Sequence, residues 1–334
     1  MKQEKITLWK KEEYSYPAAY GFIPFMNSYI HEENVIRPCM IIVPGGAYRK
    51  VSPSEAHLPA MEFFDAGYQV FVLAYTVNPL AEPLRLQPLN DISRAVRMIR
   101  KSAGYYRIDP SRIALCGFSA GGHLCASLCV HYRDIRDRDG EYDRIPNRPD
   151  AAVLSYPVIT TGISAHRDSV IALLGEHARR EELEYMSLEK QVTTDMSPCF
   201  IWQTRTDATV PVENSYLFAE ALRKADICFS HHVFSEGVHG MSVATEEWLN
   251  REFGNPYTLE QIKCLAKAMI NGKTKYRPED GKKILSDFGL DGTKKEKWTP
   301  AMKEQIRSTF PEVSVWPALA ECWLKKIWNR YRSD

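Results

Sequence analysis

Nucleophilic chemistry in this sequence concentrates on one serine, one aspartate and one histidine. Ser119 is the centre of Gly117-Phe118-Ser119-Ala120-Gly121, a G-x-S-x-G pentapeptide. It follows the apolar run Arg112-Ile113-Ala114-Leu115-Cys116 and opens a helix-like stretch from Gly122 to His131. A strand that enters a tight turn and then a helix lifts a serine hydroxyl off the end of a sheet, and flanking glycines carry no Cβ to collide there. Taken alone the pentapeptide is common, and its bland reading is a glycine-rich turn with an incidental serine. A serine hydroxyl attacks a carbonyl only with a base in hydrogen-bond reach, normally a histidine oriented by a buried carboxylate.

Both partners occur in the order Ser, Asp, His that such folds use, each after a strand-like run. Asp207 follows Phe200–Gln203 and opens Asp-Ala-Thr-Val-Pro; His239 follows Ser230–Phe234 within Gly237-Val238-His239-Gly240. Of nine histidines only His239 has this setting. His231 and His232 are neighbours in a strand and point to opposite faces, while His123, one helical turn past Ser119, reads as a local packing or hydrogen-bonding residue. A developing oxyanion needs N–H donors, each worth about 3 kcal/mol of transition-state stabilisation. Ala120 supplies one, and Gly46 and Ala47 of Pro44-Gly45-Gly46-Ala47, after the apolar run Cys39–Val43, are the expected source of the others.

These loops need a parallel sheet to carry them. Cys39–Val43 and Val70–Tyr75 are continuous apolar runs suited to strands buried on both faces, with a helix-like Ser54–Ala66 and Gly67 between them. Lys5–Trp9 and Tyr20–Tyr29, broken by Pro17 and Pro24, read as edge strands. From Asp91 the residues Ile92, Ala95, Val96 and Ile99 keep helical spacing. Asn90 or Asp91 would cap that helix, and Arg94, Arg97, Arg100 and Lys101 would face water. A polar loop spans 133–149, Ala151–Ser155 and Cys199–Gln203 are further strands, Glu213–Lys224 is a helix, and Cys228–Phe234 is the last strand. Alternating strands and helices predict an α/β, doubly wound, mostly parallel sheet.

Composition excludes several classes. The 334 residues carry a formal net charge of +1, so nothing global steers the chain to nucleic acid or to an anionic membrane. No apolar run approaches the roughly 18 residues of a membrane span, and the charged first dozen residues hold no stretch of signal-peptide length. The eight cysteines sit mostly inside apolar runs, as reduced buried thiols do. Cys125 and Cys129 share a helix face without the partners a metal site needs, so neither metal nor cofactor is expected. A cytoplasmic compartment is the expectation from these points together.

Taken together, Pro44-Gly45-Gly46-Ala47-Tyr48, the run from Gly117 to Leu124, Ser155–Thr160, Asp207–Ser215 and Gly237–Gly240 resemble the α/β-hydrolase superfamily. More narrowly they resemble its acetyl xylan esterase-like small serine esterases, near the hormone-sensitive lipase group. The likeness covers roughly residues 35–250 and a final helix at 315–330. It departs from that pattern at Pro44, where many relatives carry histidine, at Ala47 in place of a third glycine, and at Thr206 where the family often has a second aspartate. The chain is expected to divide into a core over 1–254, a helical insertion over 255–312 that the resemblance does not explain, and a closing core helix within 313–334. The resemblance implies hydrolysis of short acyl esters, acetyl above all, of a sugar or similar small alcohol, by a chain that could form a homo-oligomer. An amidase or peptidase on the same residues, and a non-catalytic binding module on the same fold, are the alternatives. The 255–312 stretch is longer than that pattern requires. Thr258-Leu259-Glu260-Gln261 has the form of a capping box before helical spacing from Leu259 to Met269, Lys282–Lys297 mixes charges with glycines, and Thr299-Pro300 can start a helix through Phe310. Its apolar stripe must bury against the rim of the site or against another subunit, and a boundary of the substrate cleft is the favoured expectation.

Overall fold

The computed structural model describes residues 1–80, 82–293 and 297–330; part of the charged run 282–297 and the end of the expected closing segment 313–334 lie outside the described residues. Eight strands form one sheet: β1 (Lys5–Thr7), β2 (Phe25–Tyr29), β3 (Arg37–Val43), β4 (Gln69–Ala74), β5 (Ile108–Phe118), β6 (Ala151–Ser155), β7 (Cys199–Thr204) and β8 (Phe229–Phe234). Their spatial order is β1-β2-β4-β3-β5-β6-β7-β8. β1 and β2 are antiparallel to their neighbours, and β3 to β8 run parallel. Only β1 of the two N-terminal strands is an edge, because β2 pairs with β4 on its other side.

Helices cover both faces. On one lie Gln87–Lys101, Ala120–His131 and Glu213–Lys224, whose Ile92, Leu124 and Phe218 join Ile41, Leu115 and Ile201 in a single apolar cluster. On the other lie His57–Asp65 and Trp316–Arg330, which put Phe63, Trp316 and Leu324 against Ile42, Val153 and Trp202. Burial on both faces explains why the central strands read as continuous apolar runs. From β3 the chain winds outward through β4 on one side and, from β5 onward, on the other, so the loops after β3 and β5 meet where the winding reverses. Such a switch point opens a crevice beyond the carboxyl ends of the strands.

The helix expected to start at Asp91 starts earlier, at Gln87, with Pro88 in its first turn. Asp91 is no cap: it is buried and accepts bonds from Trp9 Nε1 (2.8 Å), Thr76 N (2.9 Å), Thr76 Oγ1 (2.6 Å) and Gln87 Nε2 (2.9 Å). Nor do its arginines face water, since Arg94 and Arg97 are only 3% and 4% exposed. Arg94 pairs with Asp137 at 2.6 Å and lies between the rings of Trp9 and Tyr142. Arg97 donates to the carbonyls of Ile135, Tyr142, Asp143 and Ile145 at 2.7–2.9 Å. The polar 133–149 loop therefore has its carbonyls satisfied by guanidinium forks, which replace the ladder a strand would provide. Lys101 does lie at the surface, where it pairs with Glu141.

The 255–312 stretch folds as a 3₁₀ turn (Tyr257–Leu259) and helices Glu260–Ile270, Pro278–Asp287, Pro300–Arg307 and Phe310–Val313. The capping box does not form. Thr258 Oγ1 has no partner, and Gln261 instead donates to Val77 O (2.7 Å) and accepts from Val77 N (2.9 Å), just past β4. A tertiary pair of bonds to otherwise orphaned backbone outweighs the local cap. The helix Pro278–Asp287, read from sequence only as a charged glycine-containing run, turns Gly281 toward Glu260–Ile270, where a Cβ would stand 2.6 Å from Ala266 O. This glycine lets two helices approach and does not end one.

Candidate active site

Ser119 closes β5 with φ 53° and ψ −118°, a strained turn that a side-chain-bearing residue adopts only where its surroundings fix it. Its N–H donates to Ser155 O at 3.0 Å, and its carbonyl accepts from His123 N (3.1 Å) and Val158 N (3.2 Å). Two residues on, a Cβ at Gly121 would collide with the carbonyl of Val43 at the end of β3. The elbow therefore sits between its two neighbouring strands, and Ala120 becomes the first residue of the helix Ala120–His131.

Ser119, His239 and Asp207 form one hydrogen-bonded line. Ser119 Oγ is 2.9 Å from His239 Nε2, and His239 Nδ1 is 2.6 Å from Asp207 Oδ2. Asp207 Oδ1 accepts from the N–H groups of Thr209 and Val210, both at 2.9 Å. An ionised carboxylate is an acceptor only, so Nδ1 carries the proton toward Asp207 and Nε2 is left to accept from the serine. Asp207's side chain is fully covered, and that of His239 is 17% exposed, so only the imidazole faces the entry. Thr206, at the position where a second aspartate was considered, accepts from Gly237 N (2.9 Å) and donates to Gly237 O (3.0 Å), tying the aspartate loop to the histidine loop.

Across from the histidine, Gly46, Ala47 and Tyr48 all have positive φ (121°, 57° and 58°), which turns the loop after β3 back over the serine. Gly45 N–H donates to Glu55 Oε2 at 2.8 Å. Among the described residues no acceptor is in range of the N–H groups of Gly46, Ala47 or Ala120, the three sequence-chosen donors. Tyr48 is held from behind: its hydroxyl lies 2.9 Å from His123 Nδ1, whose Nε2 is 3.0 Å from Met186 O. Burial lowers the His123 pKa to about 4, which keeps this support neutral. His231 and His232 stay apart from the site, against Tyr216 and Phe200 respectively. Among the described residues no group of three or more His, Cys, Asp or Glu is arranged to hold a metal, and no helix is long and apolar enough to cross a membrane.

Residues 27–222 match BD-FAE, a stretch that contains Ser119 and Asp207 and stops short of His239. The chain belongs to the BD-FAE family. Its eight-stranded sheet is an α/β-hydrolase sheet, as in the crystal structure of an acetyl ester-xyloside bifunctional hydrolase from Caldicellulosiruptor lactoaceticus. That protein is 35% identical, with a TM-score of 0.68 over 78% of this chain and 97% of its own. The chain is also similar to endo-1,4-β-xylanase B of Butyrivibrio fibrisolvens, 51% identical over 262 residues, which are 78% of this chain and 41% of that protein. It is 28% identical over 234 residues to an acetylxylan esterase of Xylanibacter ruminicola, covering 67% of this chain and 46% of that one. This BD-FAE chain thus spans less than half the length of these two relatives.

Two residues of the BD-FAE site escaped the sequence reading. Glu55 is 4% exposed and Tyr156 is buried, yet Tyr156 OH donates to Glu55 Oε1 at 2.9 Å, and the Tyr156 ring meets the His239 imidazole edge to face at 4.9 Å. In sequence Glu55 looks like an acid near the start of the helix-like Ser54–Ala66, where a negative charge ordinarily complements the helix dipole. The Ser-Tyr-Pro setting of Tyr156 was a motif without a stated role. The 255–312 segment touches the loop after β3: Lys50, four residues past Gly46, holds its ammonium 5.2 Å from the centre of the Phe288 ring.

Proposed function

We propose that the protein is a serine esterase that releases short acyl groups, acetyl foremost, from acetylated oligosaccharides through an acyl-enzyme. The observation that carries this is the unbroken line from Asp207 through His239 to Ser119. In the reaction so proposed, Ser119 Oγ attacks the ester carbonyl while His239 Nε2 takes the hydroxyl proton, and Asp207 stabilises the resulting imidazolium. The N–H groups of Gly46, Ala47 and Ala120 receive the carbonyl oxygen as it gains charge. His239 then returns its proton to the departing alcohol, and a water activated in the same way frees the acid and restores the serine.

Two features support a small acyl group and a sugar alcohol. A cavity of about 10 Å³ lined by Tyr48, His123, Val158, Leu173 and Met186 lies behind the serine, where His123 and Val158 hold its carbonyl. An acyl group that entered it would find room on the scale of one water molecule, which suits a methyl group better than a long chain. The similarity to an acetylxylan esterase, and to an enzyme described as an acetyl ester-xyloside hydrolase, supports the alcohol. Rates on aryl esters from acetate to octanoate, measured beside release of acetate from acetylated xylo-oligosaccharides, test the reading. Acetyl should be fastest and the oligosaccharide should be deacetylated; faster octanoyl hydrolysis, or an inert oligosaccharide, would reject it.

A further inference from the structure

A buried carboxylate joins the two halves of this site without lying on the Ser-His-Asp line. We propose that Glu55 is a positioning residue for the reaction, its ionised carboxylate holding the oxyanion loop and the histidine loop in register. Glu55 Oε2 accepts from Gly45 N (2.8 Å), which fixes the loop whose next two N–H groups point free. Its Oε1 accepts from Tyr156 OH (2.9 Å), and that hydroxyl in turn accepts from Ser242 N at 3.2 Å, three residues beyond His239. The Tyr156 ring lies against the imidazole at 4.9 Å, and a Cβ built on Gly240 would stand 3.8 Å from Oε1. One side chain thus bonds the loop after β3 and the loop after β6, and through Tyr156 reaches the loop after β8.

The pattern of donors around these oxygens favours the charged form. Both oxygens act as acceptors, from an N–H and from an O–H, so the carboxylate has no bond that calls for its own proton. Burial opposes ionisation and raises the Glu55 pKa; the nearby His239 charge, the Gly45 N–H, the Tyr156 hydroxyl and Lys50 act the other way. Other titratable groups within reach of its charge are Tyr75 and Cys116 in the core and Lys297 from the 255–312 segment. A well-packed apolar residue would serve stability as well as or better than a buried acid, so its value lies in the geometry and field it imposes. The field matters when the imidazolium forms: Asp207 faces Nδ1, and Glu55 adds a second negative charge behind the Tyr156 ring. No proton moves to Glu55 and no bond to it forms or breaks.

The inference rests on the Ser119 reading above, and the test separates the two. Glu55→Gln keeps the shape but offers one acceptor where two donors converge. We expect kcat to fall roughly 10- to 100-fold, the scale of losing part of an oxyanion site, with KM within about threefold. The acid limb of the kcat profile should also move to lower pH, because the imidazolium loses a neighbouring negative charge. Tyr156→Phe keeps the ring and the Glu55 side chain but removes one bond that favours its charge, so it should lose several-fold in kcat and move that limb less than Glu55→Gln does. Labelling of Ser119 by a small phosphonate should slow in both variants in proportion to kcat. If Glu55→Gln keeps kcat within twofold, or loses thermal stability with the acid limb unmoved, Glu55 is merely structural and the inference fails. Should that variant not fold, Tyr156→Phe decides alone, and wild-type kcat in it overturns the inference. Failure of the wild-type enzyme to label at Ser119 would instead sink the serine esterase reading.

Discussion

The hydrolase core and the 255–312 segment are both folded, but they are held by different means. In the core, strands β3 to β7 bury both faces and the site rests on backbone bonds: Ser119 to Ser155, Val158 to Ser119, Thr209 and Val210 to Asp207. In the segment, Glu260–Ile270 buries six residues, whereas Pro278–Asp287 buries only Gly281 and Pro300–Arg307 only Ile306. Its ties to the core are separate side-chain contacts, such as Gln261 on Val77, Phe288 on Lys50, Arg307 on Glu246 and Glu312 on Ser235. The residues proposed to react thus sit on the closely packed sheet, while the helices Pro278–Asp287 and Pro300–Arg307 are more thinly packed. Weakly packed elements open at low free energy, which suits the proposal that these helices bound a cleft.

The largest expected effect tests the core half of this contrast. Ser119→Ala should lose on the order of 10⁶ in kcat with an unchanged melting temperature, and Asp207→Asn should lose about 10⁴ by favouring the wrong imidazole tautomer. Substantial activity in either variant would show that the hydrogen-bonded line is not the reacting one.

A second test concerns core polar groups far from the chemistry. Arg97→Met removes a guanidinium that four carbonyls share, and should destabilise the fold by about 3 kcal/mol, read by denaturant titration. A loss under 1 kcal/mol would mean that the 133–149 loop finds other donors. Acid sensitivity probes a buried polar group nearer the site. Because the His123 pKa is lowered from 6.5 to about 4, the unfolded chain takes up this proton before the folded one does. Its contribution to stability is complete above pH 6.5, falls as pH drops toward 4, and amounts to on the order of 3 kcal/mol. His123→Asn should flatten the stability profile across that window, and an unaltered slope would remove His123 as its source.

The smallest effect belongs to the segment. Replacing residues 256–311 with a short Gly/Ser linker should leave Ser119 reactive to a small phosphonate while KM for a bulky sugar ester rises several-fold, about 1 kcal/mol. An unchanged KM accompanied by a change from oligomer to monomer would assign the segment to an interface instead of the cleft.

The same contrast governs what could be read in advance. Strand after strand of the sheet was legible because burial on both faces leaves apolar runs, and Glu213–Lys224 was legible because it is amphipathic. Ser119, Asp207 and His239 stand in short motifs, and the structure brings these three together. Arg94 and Arg97 were misplaced because helical spacing identifies the apolar stripe but not what a long guanidinium meets some forty residues on. Glu55 was missed for a similar reason: its partners, Gly45, Tyr156 and the region of His239, converge only after three loops have folded. In the segment, Thr258 looked like a cap because the local rule was overruled by Val77, distant in sequence, and the helix around Gly281 went unread because its reason is contact with the next helix.

The return of the chain to the core has a further consequence. Trp316 Nε1 donates to Ser242 O at 2.8 Å, Trp248 meets Phe310 at 6.5 Å, and Glu246 pairs with Arg307, so the segment leaves and re-enters the core side by side. Closing a loop whose ends already lie together depends only weakly on its length, at about 0.6 kcal/mol per doubling. The excursion can therefore lengthen, shorten or be exchanged at little thermodynamic cost, while Trp316 stays bonded to the loop after β8. Such a port would let selection rework the segment without disturbing Ser119, His239 and Asp207.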